Sequence, residues 1–518
     1  MSLGVSHTVA LNGLTGTPVR VEADLGGGLP GMILLGLPDA SLGEARDRVR
    51  SAARNTGIAL SARRLTVNLV PAGLPKRGPA FDLAILVACL AAQAELASPQ
   101  DTVFLGELGL DGALRPVAGV LPCLLAAREA GFARAVLPRG NAEEAALVPG
   151  LETLAYARAA DVLAALGASE RLLAAAPAVS SAEAEAGAGG ADGAPRGPDD
   201  NAAGRVPDLA EVVGQPYGRY VLEVAAAGGH HLLLSGPPGA GKTMLAERLP
   251  GILPPLSEED ALLSACLRSV GGWGVRELVR TPPFLAPHHT STTPSLVGGG
   301  SGVPRPGAAS LAHGGVLFLD EAPEFAARTL DALREPLESG RLTLHRSGGS
   351  ASYPAQFQLI LAANPCPCGK PGRDCECSAL VRRRYWARLS GPLLDRIDLR
   401  AEVPAAQTAA IVSGAWGEDS ALVRERVAAA RALQERRWGG RGGNTNARVP
   451  GRVLRERPFA PSGREAAALR DAADLHGLTG RGVERVLRIA WTLADLAEAE
   501  RPTAEHLEQA ALLRGEAA

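Results

Sequence analysis

One segment of the chain has the residue types and the spacing of a phosphate-binding loop. The apolar run HHLLLS precedes it, the helical sequence MLAERLPGIL follows it, and between them stand Gly236, Pro237, Pro238, Gly239, Ala240, Gly241, Lys242 and Thr243. Glycines let backbone N–H groups turn towards phosphate oxygens, and the N-terminus of the following helix adds partial positive charge. We expect Lys242 to reach the β and γ phosphates of ATP, and the Thr243 hydroxyl to bind Mg²⁺.

A second segment supplies two adjacent carboxylates. The run VLFL at 316–319 predicts a buried strand, and Asp320 and Glu321 follow it directly. Asp320 suits the binding of Mg²⁺, usually through water, and Glu321 is placed to polarise an attacking water as general base. A surface Asp-Glu pair is the alternative interpretation, which the phosphate-binding loop upstream disfavours. Together the two segments predict ATP hydrolysis.

A third predicted strand, PAQFQLILAAN, ends at Asn364, and here the sequence resembles the AAA+ superfamily. The resemblance implies that Asn364 is the sensor-1 residue, which positions the lytic water. It implies that Arg396, in SGPLLDRID, is an arginine finger inserted towards the γ-phosphate of a neighbouring subunit, with Arg388 as second candidate. Arg481 resembles the sensor-2 arginine of a helical lid. A surface salt bridge is the alternative for each arginine, whereas a finger supplied in trans would make hydrolysis depend on assembly.

Further motifs narrow the resemblance to one branch. They are APHHT (286–290), SLVGGG (295–300), RPG (305–307), LAHGG (311–315), LREPLESG (333–340) and NPCPCG (364–369). Together they resemble the magnesium-chelatase-like family that includes the competence protein ComM and the YifB proteins, over most of the chain from Val206 onward. The resemblance implies a homo-hexamer that binds single-stranded and branched DNA in its pore. It further implies a helicase that promotes branch migration during recombination of incoming DNA in natural transformation.

The segment GRLTLHRSGGSASYPAQF alternates apolar and polar residues and has glycines in its middle. This pattern predicts a β-hairpin insertion that turns at 347–350. In the resembled branch such hairpins project into the central pore, which would let His345 and Arg346 face the DNA. His288 and His289 would lie on a second insertion; adjacent histidines also fit a metal site, or a buried or interface role.

Four cysteines are clustered at Cys366, Cys368, Cys375 and Cys377. Four thiolates at this spacing can enclose a tetrahedral, structural Zn²⁺. Redox sensing and unmodified free thiols are the alternatives.

The run RRRYWAR at 382–388 mixes positive charge with aromatic rings. Such a mixture is typical of a surface that binds a nucleic-acid strand by stacking. Its position just before Arg396 makes packing at a subunit interface an equal alternative.

Composition divides the chain into four segments. Residues 1–173 mix short β-rich and helical runs, 174–205 contain almost only Ala, Gly, Ser, Pro and Asp and predict a flexible linker, 206–403 are densely α/β, and 404–518 have helical periodicity. We therefore predict an α/β protein with an AAA+ P-loop core (206–403), which carries the insertions and the four-cysteine loop, and a helical C-terminal lid (404–518).

The N-terminal segment carries the sequence PKRGPA, from Pro75 to Ala80, followed by FDLAI. It resembles the active-site stretch of Lon-type proteases, and implies a Lon-protease-like (ribosomal S5 domain 2-like) α+β domain. Ala80 stands where those proteases have the nucleophilic serine. Without the hydroxyl no acyl-enzyme can form, so we expect a role in assembly or in contacts with partners or DNA.

Bulk properties exclude few functions. The formal net charge is -2, so nucleic-acid binding would have to come from local patches. No apolar run reaches the roughly 18 residues that cross a bilayer, and the N-terminus lacks a signal-peptide pattern. We expect a cytoplasmic protein with no membrane partner.

Two other functions are compatible with an AAA+ core. One is the ATPase subunit of a porphyrin metal chelatase, which the resemblance disfavours because that subunit lacks the Lon-like domain and the four-cysteine insertion. The other is an ATP-dependent protease or protein remodeller, which Ala80 disfavours. The steep salt dependence of phosphate contacts would distinguish a DNA motor from both.

Overall fold

A computed structural model describes most of the chain. It covers residues 3–36, 39–56, 60–74, 76, 78–168, 206–300, 304–346, 349–370, 374–405 and 417–515. The predicted linker, 174–205, lies outside the described residues, as do Pro75 and Arg77. Among the helices described, none combines the length and the apolar character needed to cross a bilayer.

The N-terminal part is built on a seven-stranded mixed sheet with the order β3-β4-β2-β1-β5-β8-β9. Its strands, with the small hairpin β6–β7, are β1 Gly4–Asn12, β2 Thr15–Gly26, β3 Gly31–Leu35, β4 Arg64–Val70, β5 Thr102–Phe104, β6 Glu107–Leu108, β7 Leu114–Arg115, β8 Arg134–Pro138 and β9 Glu152–Tyr156. The helices are α1 Asp39–Asn55, α2 Asp82–Ala92, α3 Val120–Glu129, α4 Ala142–Ala145 and α5 Ala159–Ala165.

Hydrophobic patterning explains this part of the fold. The alternating sequence RLTVNLV becomes β4, where Leu65, Val67 and Leu69 are buried and the residues between them are not. Beyond its first residue, Asp82, which pairs with Arg48, helix α2 is apolar on every side, and all of it is buried. A 3-10 turn, Pro79–Phe81, leads into α2 and carries Ala80, whose carbonyl accepts the Gly106 N–H at 3.0 Å.

The central part is a five-stranded parallel sheet with the order β11-β14-β17-β10-β18. Its strands are β10 Leu232–Ser235, β11 Phe284–Leu285, β14 Val316–Leu319, β17 Gln358–Ala363 and β18 Leu399–Glu402. The helices around it are α6 Pro216–Gly228, α7 Lys242–Ile252, α8 Glu258–Gly271, α9 Thr293–Val297, α10 Ala308–Leu311, α11 Ala327–Asp331, α12 Arg334–Ser339, α13 Ala379–Trp386 and α14 Gly391–Leu394.

Burial on both faces explains why three of these strands are continuous apolar runs. Strands β14 and β17 are buried at every position, and β10 at its first three. Pairing joins Ser235 to Ala363 and Leu319 to Leu361, so β10 and β17 end level and β14 ends two residues earlier. The loops that follow their carboxyl ends therefore meet at one edge of the sheet.

Two hairpins are inserted beside this sheet. Strands β15 Arg341–Arg346 and β16 Gly349–Pro354 pair antiparallel through Arg346↔Gly349, which confirms the predicted hairpin; Ser347 and Gly348 lie outside the described residues. Strands β12 Gly298–Gly299 and β13 Arg305–Pro306 form the second. Leu342, Ala351 and Tyr353 anchor the longer hairpin in the core, and His345 near its tip is exposed.

The C-terminal part is helical. Its helices are α15 Ser420–Trp438, α16 Gly451–Leu454, α17 Gly463–Leu475, α18 Gly480–Leu496 and α19 Ala504–Arg514. Trp438 and Trp491 meet edge to face at 5.5 Å between centroids, and the Arg437 guanidinium lies over the Trp491 ring at 4.3 Å. Helix α18 is joined to the sheet because Thr492 hydrogen-bonds His230 at 2.8 Å.

The N-terminal part packs against helix α8 of the central part. The Gly119 N–H donates to the Ser269 carbonyl at 2.9 Å, and the Leu121 N–H to the Ser269 hydroxyl at 3.4 Å. Cys123 and Cys266 are buried in one apolar cluster that spans the two parts. The turn at Gly13 also touches the longer hairpin, because a Cβ at Gly13 would lie 2.6 Å from the Ser352 carbonyl oxygen.

His313, in the motif LAHGG, holds the entry to β14. It is 4% exposed, and its Nδ1 accepts the Gln356 N–H at 3.1 Å. Burial lowers the pKa of His313 from 6.5 to about 4, against the opposing charge of Asp260. The imidazole is therefore neutral in the fold and acts as a hydrogen-bond acceptor at Nδ1.

We predict that the free energy of unfolding falls as pH is lowered from about 6.5 towards 4. In this range His313 is protonated in the unfolded chain but stays neutral in the folded chain. Glutamine does not titrate at this position. The His313→Gln variant should therefore lose about 2 kcal/mol less free energy of unfolding between pH 7 and pH 5 than the wild type does. Denaturant unfolding at both pH values measures the difference. Equal losses in the two proteins would contradict this role of His313.

Candidate nucleotide-binding site

The predicted phosphate-binding loop connects β10 to α7 at the shared edge of the sheet. Gly241 adopts a left-handed conformation, φ 87°, and caps the N-terminus of α7. Gly236 passes so close to the chain after β18 that a Cβ would lie 2.2 Å from the Val403 carbonyl oxygen. Both positions require glycine. They shape a turn in which backbone N–H groups at the N-terminus of α7 can point towards a bound phosphate.

Lys242 is the charged centre of the loop. It is 8% exposed, and its Nζ donates to the carbonyls of Gly236 at 2.8 Å and Pro237 at 3.0 Å and to Asn364 Oδ1 at 3.1 Å. Burial lowers the pKa of Lys242, while the charges of Asp320 and Glu321 act to raise it. The ammonium is thus held between the loop and the end of β17. A phosphate bound in the loop would be attracted strongly to this charge, because water screens it little there.

Thr243 and Asp320 supply adjacent oxygen atoms. The Thr243 hydroxyl donates to Asp320 Oδ2 at 2.8 Å, although 76 residues separate them along the chain. A hydroxyl and a carboxylate are the hard oxygen donors that Mg²⁺ prefers. The pair fits a Mg²⁺ ion that neutralises phosphate charge, which agrees with the role predicted for both residues.

Glu321 has an unusual backbone. Its φ of 49° places a non-glycine residue in the left-handed region, which costs roughly 1–2 kcal/mol. Its carboxylate lies 3.3 Å from His289 Nδ1, a partner that the sequence did not reveal because 31 residues intervene. Backbone strain at a carboxylate is typical of a functional residue, and His289 is placed to orient Glu321.

Asn364 and Gln215 complete the setting of the loop. Asn364 follows β17 directly and contacts Lys242, which puts the predicted sensor beside the phosphate-binding loop. Gln215, which our sequence interpretation missed, is 4% exposed and donates from Nε2 to the carbonyls of Ala240 at 3.0 Å and Pro404 at 2.7 Å. It ties the loop to the chain beyond β18.

The three predicted arginines lie in different surroundings. Arg396 is 8% exposed and pairs with Glu338 of the same chain while donating to the Pro392 carbonyl. Arg388 is half exposed and pairs with Glu324 at 2.8 Å. Arg481 is exposed in the first turn of α18. Arg396 can reach a neighbouring subunit only if its pair with Glu338 opens, so its finger role stays a prediction.

One turn after Arg481, Arg485 connects the helical part to the arginine-finger motif. It donates to the Asp395 carbonyl at 2.6 Å and pairs with Asp398, which is 1% exposed. Burial acts to raise the pKa of Asp398, but the charge of Arg485 and the neighbouring His230 hold it well below its usual range. A movement of α18 would therefore be transmitted directly to the residues on either side of Arg396.

The four cysteines converge in space. Their sulfur atoms all lie within 4.8 Å of one another, and all four are free thiols. Hydrogen bonds from the Cys366 thiol and from the Lys370 N–H lower the pKa of Cys368 to about 6. Four converging sulfurs fit the ligand set of a zinc ion.

One of the two aromatic rings in the run RRRYWAR is closed to a nucleic acid. Tyr385 is 4% exposed, and Trp386 is half-buried and donates from Nε1 to the Pro365 carbonyl at 3.1 Å. The stacking interpretation of this run is therefore wrong for Tyr385, because a stacking platform must be open to solvent. Arg382, Arg383 and Arg384 remain exposed on α13.

Comparison with known proteins gives matches over almost the whole chain. Residues 208–411 match the family described as magnesium chelatase, subunit ChlI; residues 21–141 match subunit ChlI of Mg-chelatase; and residues 417–514 match its C-terminal region. The chain is 47% identical to an uncharacterized protein of Mycobacterium tuberculosis over 99% of both chains.

Two relatives carry descriptive names. The chain is 40% identical to the YifB protein of Escherichia coli and covers 97% of it, with 99% of this chain aligned. It is 39% identical to competence protein ComM of Haemophilus influenzae, over 98% of this chain and 97% of that protein. A segment of 152 residues is 30% identical to Lon protease of Mycolicibacterium smegmatis, which is 28% of this chain and 20% of that protein.

For the candidate general base, we predict that Glu321→Gln retains nucleotide binding and loses ATP turnover by at least about a hundredfold, because an amide cannot accept the proton of the attacking water. Fluorescent-nucleotide titration and phosphate release measure the two properties. Glu335→Gln, an exposed carboxylate on α12, is the matched control and should turn ATP over normally. Normal turnover in Glu321→Gln would remove Glu321 from the chemistry.

For the candidate finger, Arg396→Ala should bind ATP with unchanged affinity and turn it over about a thousandfold more slowly, because the transition-state charge loses its guanidinium. Arg388→Ala should retain turnover. Steady-state ATPase rates and equilibrium binding on both variants decide between the two arginines. The reverse pattern would transfer the finger role to Arg388.

Proposed function

The chain belongs to the magnesium-chelatase-like AAA+ family that includes ComM and YifB, and on this premise we propose that it is an ATP-hydrolysing DNA motor. We propose a cytoplasmic homo-hexamer that takes single-stranded and branched DNA into its pore and promotes branch migration during recombination of incoming DNA. ATP and Mg²⁺ are its proposed cofactors at the phosphate-binding loop, and Zn²⁺ at the four-cysteine loop. This is the function that the site and the relatives support best.

The observation that carries the ATPase proposal is the convergence of five side chains at one edge of the parallel sheet. Lys242, Thr243, Asp320, Glu321 and Asn364 lie beyond the carboxyl ends of three strands, in hydrogen-bonded or adjacent positions. A lysine for phosphate, two oxygen donors for Mg²⁺, a carboxylate base and an amide for the lytic water are the parts that phosphoryl transfer needs.

The proposal of a DNA motor has different support. A relative that aligns over 97% of its length is named a competence protein. The hairpin β15–β16 stands beside the ATPase sheet with His345 exposed near its tip, where a ring would present it to cargo. The exposed arginines 382–384 add local positive charge to a chain whose net charge is only -2.

A metal-chelatase ATPase is the second candidate, because the matching families are described as subunit ChlI of that enzyme. The same nucleotide site would serve it, with a protein complex in place of DNA as cargo. The difference between the candidates is therefore a difference of partner and not of ATP chemistry.

We predict that ATPase activity rises with single-stranded DNA and rises further with a four-way junction, that ATP drives formation of a hexamer, and that the junction is resolved into duplexes. The stimulation should weaken steeply as salt is raised, because phosphate contacts release counterions. Rates, native mass and junction gels on the wild type, with Glu321→Gln as the hydrolysis-dead control, provide the test. An ATPase indifferent to all DNA at low salt would overturn the motor and favour the chelatase alternative.

A further inference from the structure

The four-cysteine loop has the geometry of an ion-binding site. Cys366 Sγ lies 3.2 Å from Cys368 Sγ and 3.4 Å from Cys375 Sγ, and the last two sulfurs are 3.8 Å apart. A disulfide would bring two sulfurs to about 2.05 Å. Four sulfurs each about 2.3 Å from a central Zn²⁺ would stand about 3.8 Å apart. The three observed separations lie closer to the second arrangement than to the first.

Little else in this loop could hold its shape. Between Asn364 and Ser378 the described residues form neither a helix of four or more residues nor a strand. Cys366 is buried, but Cys368 is exposed and Cys375 and Cys377 are half-buried. A loop that buries so little apolar surface needs a cross-link to keep one conformation.

The loop packs directly on the phosphate-binding loop. Gly369, next to Cys368, has a left-handed backbone, φ 68°, and its N–H donates to the Cys366 carbonyl at 3.0 Å. A Cβ at Gly369 would lie 2.7 Å from Pro238 Cγ and 3.0 Å from Pro238 Cδ. The backbone of the cysteine loop therefore touches the side of the turn that is predicted to hold the phosphates.

The other end of the loop is fixed to the same site. Cys366 is two residues after Asn364, whose Oδ1 accepts from Lys242 Nζ at 3.1 Å. Pro365, between them, accepts the Trp386 indole N–H at 3.1 Å. The four-cysteine loop, Asn364 and the phosphate-binding loop are thus in direct contact with one another.

We propose that Cys366, Cys368, Cys375 and Cys377 bind one Zn²⁺, and that the bound ion holds residues 364–369 against Pro238 so that nucleotide affinity depends on metal occupancy. Four thiolates leave no open coordination position, so the ion is structural and takes no part in hydrolysis. The effect on nucleotide rests on the proposed ATPase function; the metal site itself does not.

The first experiment uses the full-length protein. Metal analysis should find one zinc per chain, and the double variant Cys375→Ser, Cys377→Ser should hold none. Cys266→Ala, a buried cysteine outside the cluster, should keep its zinc. Removing the metal from wild type with a zinc-selective chelator should weaken binding of a fluorescent ATP analogue about tenfold, as expected if the loop is then competent about a tenth of the time. Added Zn²⁺ should restore the affinity.

The second experiment separates packing from metal binding. Gly369→Ala keeps all four thiolates but pushes a methyl group into Pro238, so it should retain zinc and lose nucleotide affinity. Gly131→Ala is the matched control, because Gly131 also has a left-handed backbone, φ 85°, but open space around it. It should retain both properties.

Two results would overturn the proposal. A folded, metal-free protein that fails to take up Zn²⁺ would rule out the site. One zinc per chain with nucleotide affinity unchanged by chelation and by Gly369→Ala would remove the coupling. A chain that holds zinc but never binds ATP would instead overturn the proposed ATPase function. Neither zinc content nor nucleotide affinity depends on stimulation by DNA, so both can be measured without it.

Discussion

The lysine ammonium of Lys242 is held at the carboxyl edge of a parallel sheet, and most of the site depends on this placement. A buried positive charge is costly unless polar atoms surround it. Two loop carbonyls and the Asn364 amide oxygen do so here, at 2.8 to 3.1 Å. The same contacts join the loop after β10 to Asn364, which follows β17. The hydrogen bond from Thr243 joins the start of α7 to Asp320, which follows β14. Phosphate position, metal ligands and sensor are thereby set together.

Around this centre, several elements contact the same short loop from different directions. Gln215 holds it to the chain after β18, and Gly369 of the cysteine loop packs against its Pro238. Away from this loop, Arg485 reaches from α18 to Asp398 in the arginine-finger motif. The proposed ring motor would have to transmit nucleotide state to distant parts of each subunit, and rigid contacts of this kind would be the physical means to do so. The N-terminal part is connected as well, because it packs on α8 and touches the longer hairpin.

Local patterns were sufficient to predict much of this arrangement. The apolar runs before Gly236, Asp320 and Asn364 predicted strands that the structure contains, and the alternation around 341–354 predicted the hairpin. Family resemblance predicted the AAA+ core and the Lon-like N-terminal fold, which the relatives support. The contacts of His289 with Glu321 and of Gln215 with Ala240 were not predictable, since they join residues 25 or more apart with no periodic signal. Burial of Tyr385 was missed for a similar reason, because its partners come from other elements.

In the proposed hexamer, Arg396 of a neighbouring subunit would complete each nucleotide site. The most direct measurement mixes Lys242→Ala chains with Arg396→Ala chains, neither of which should hydrolyse ATP alone. In mixed rings about a quarter of the interfaces would join an intact phosphate-binding loop to an intact finger, so ATPase activity should return to about that fraction of wild type. Mixed rings that form, as shown by co-purification of differently tagged chains, but remain inactive would contradict the account.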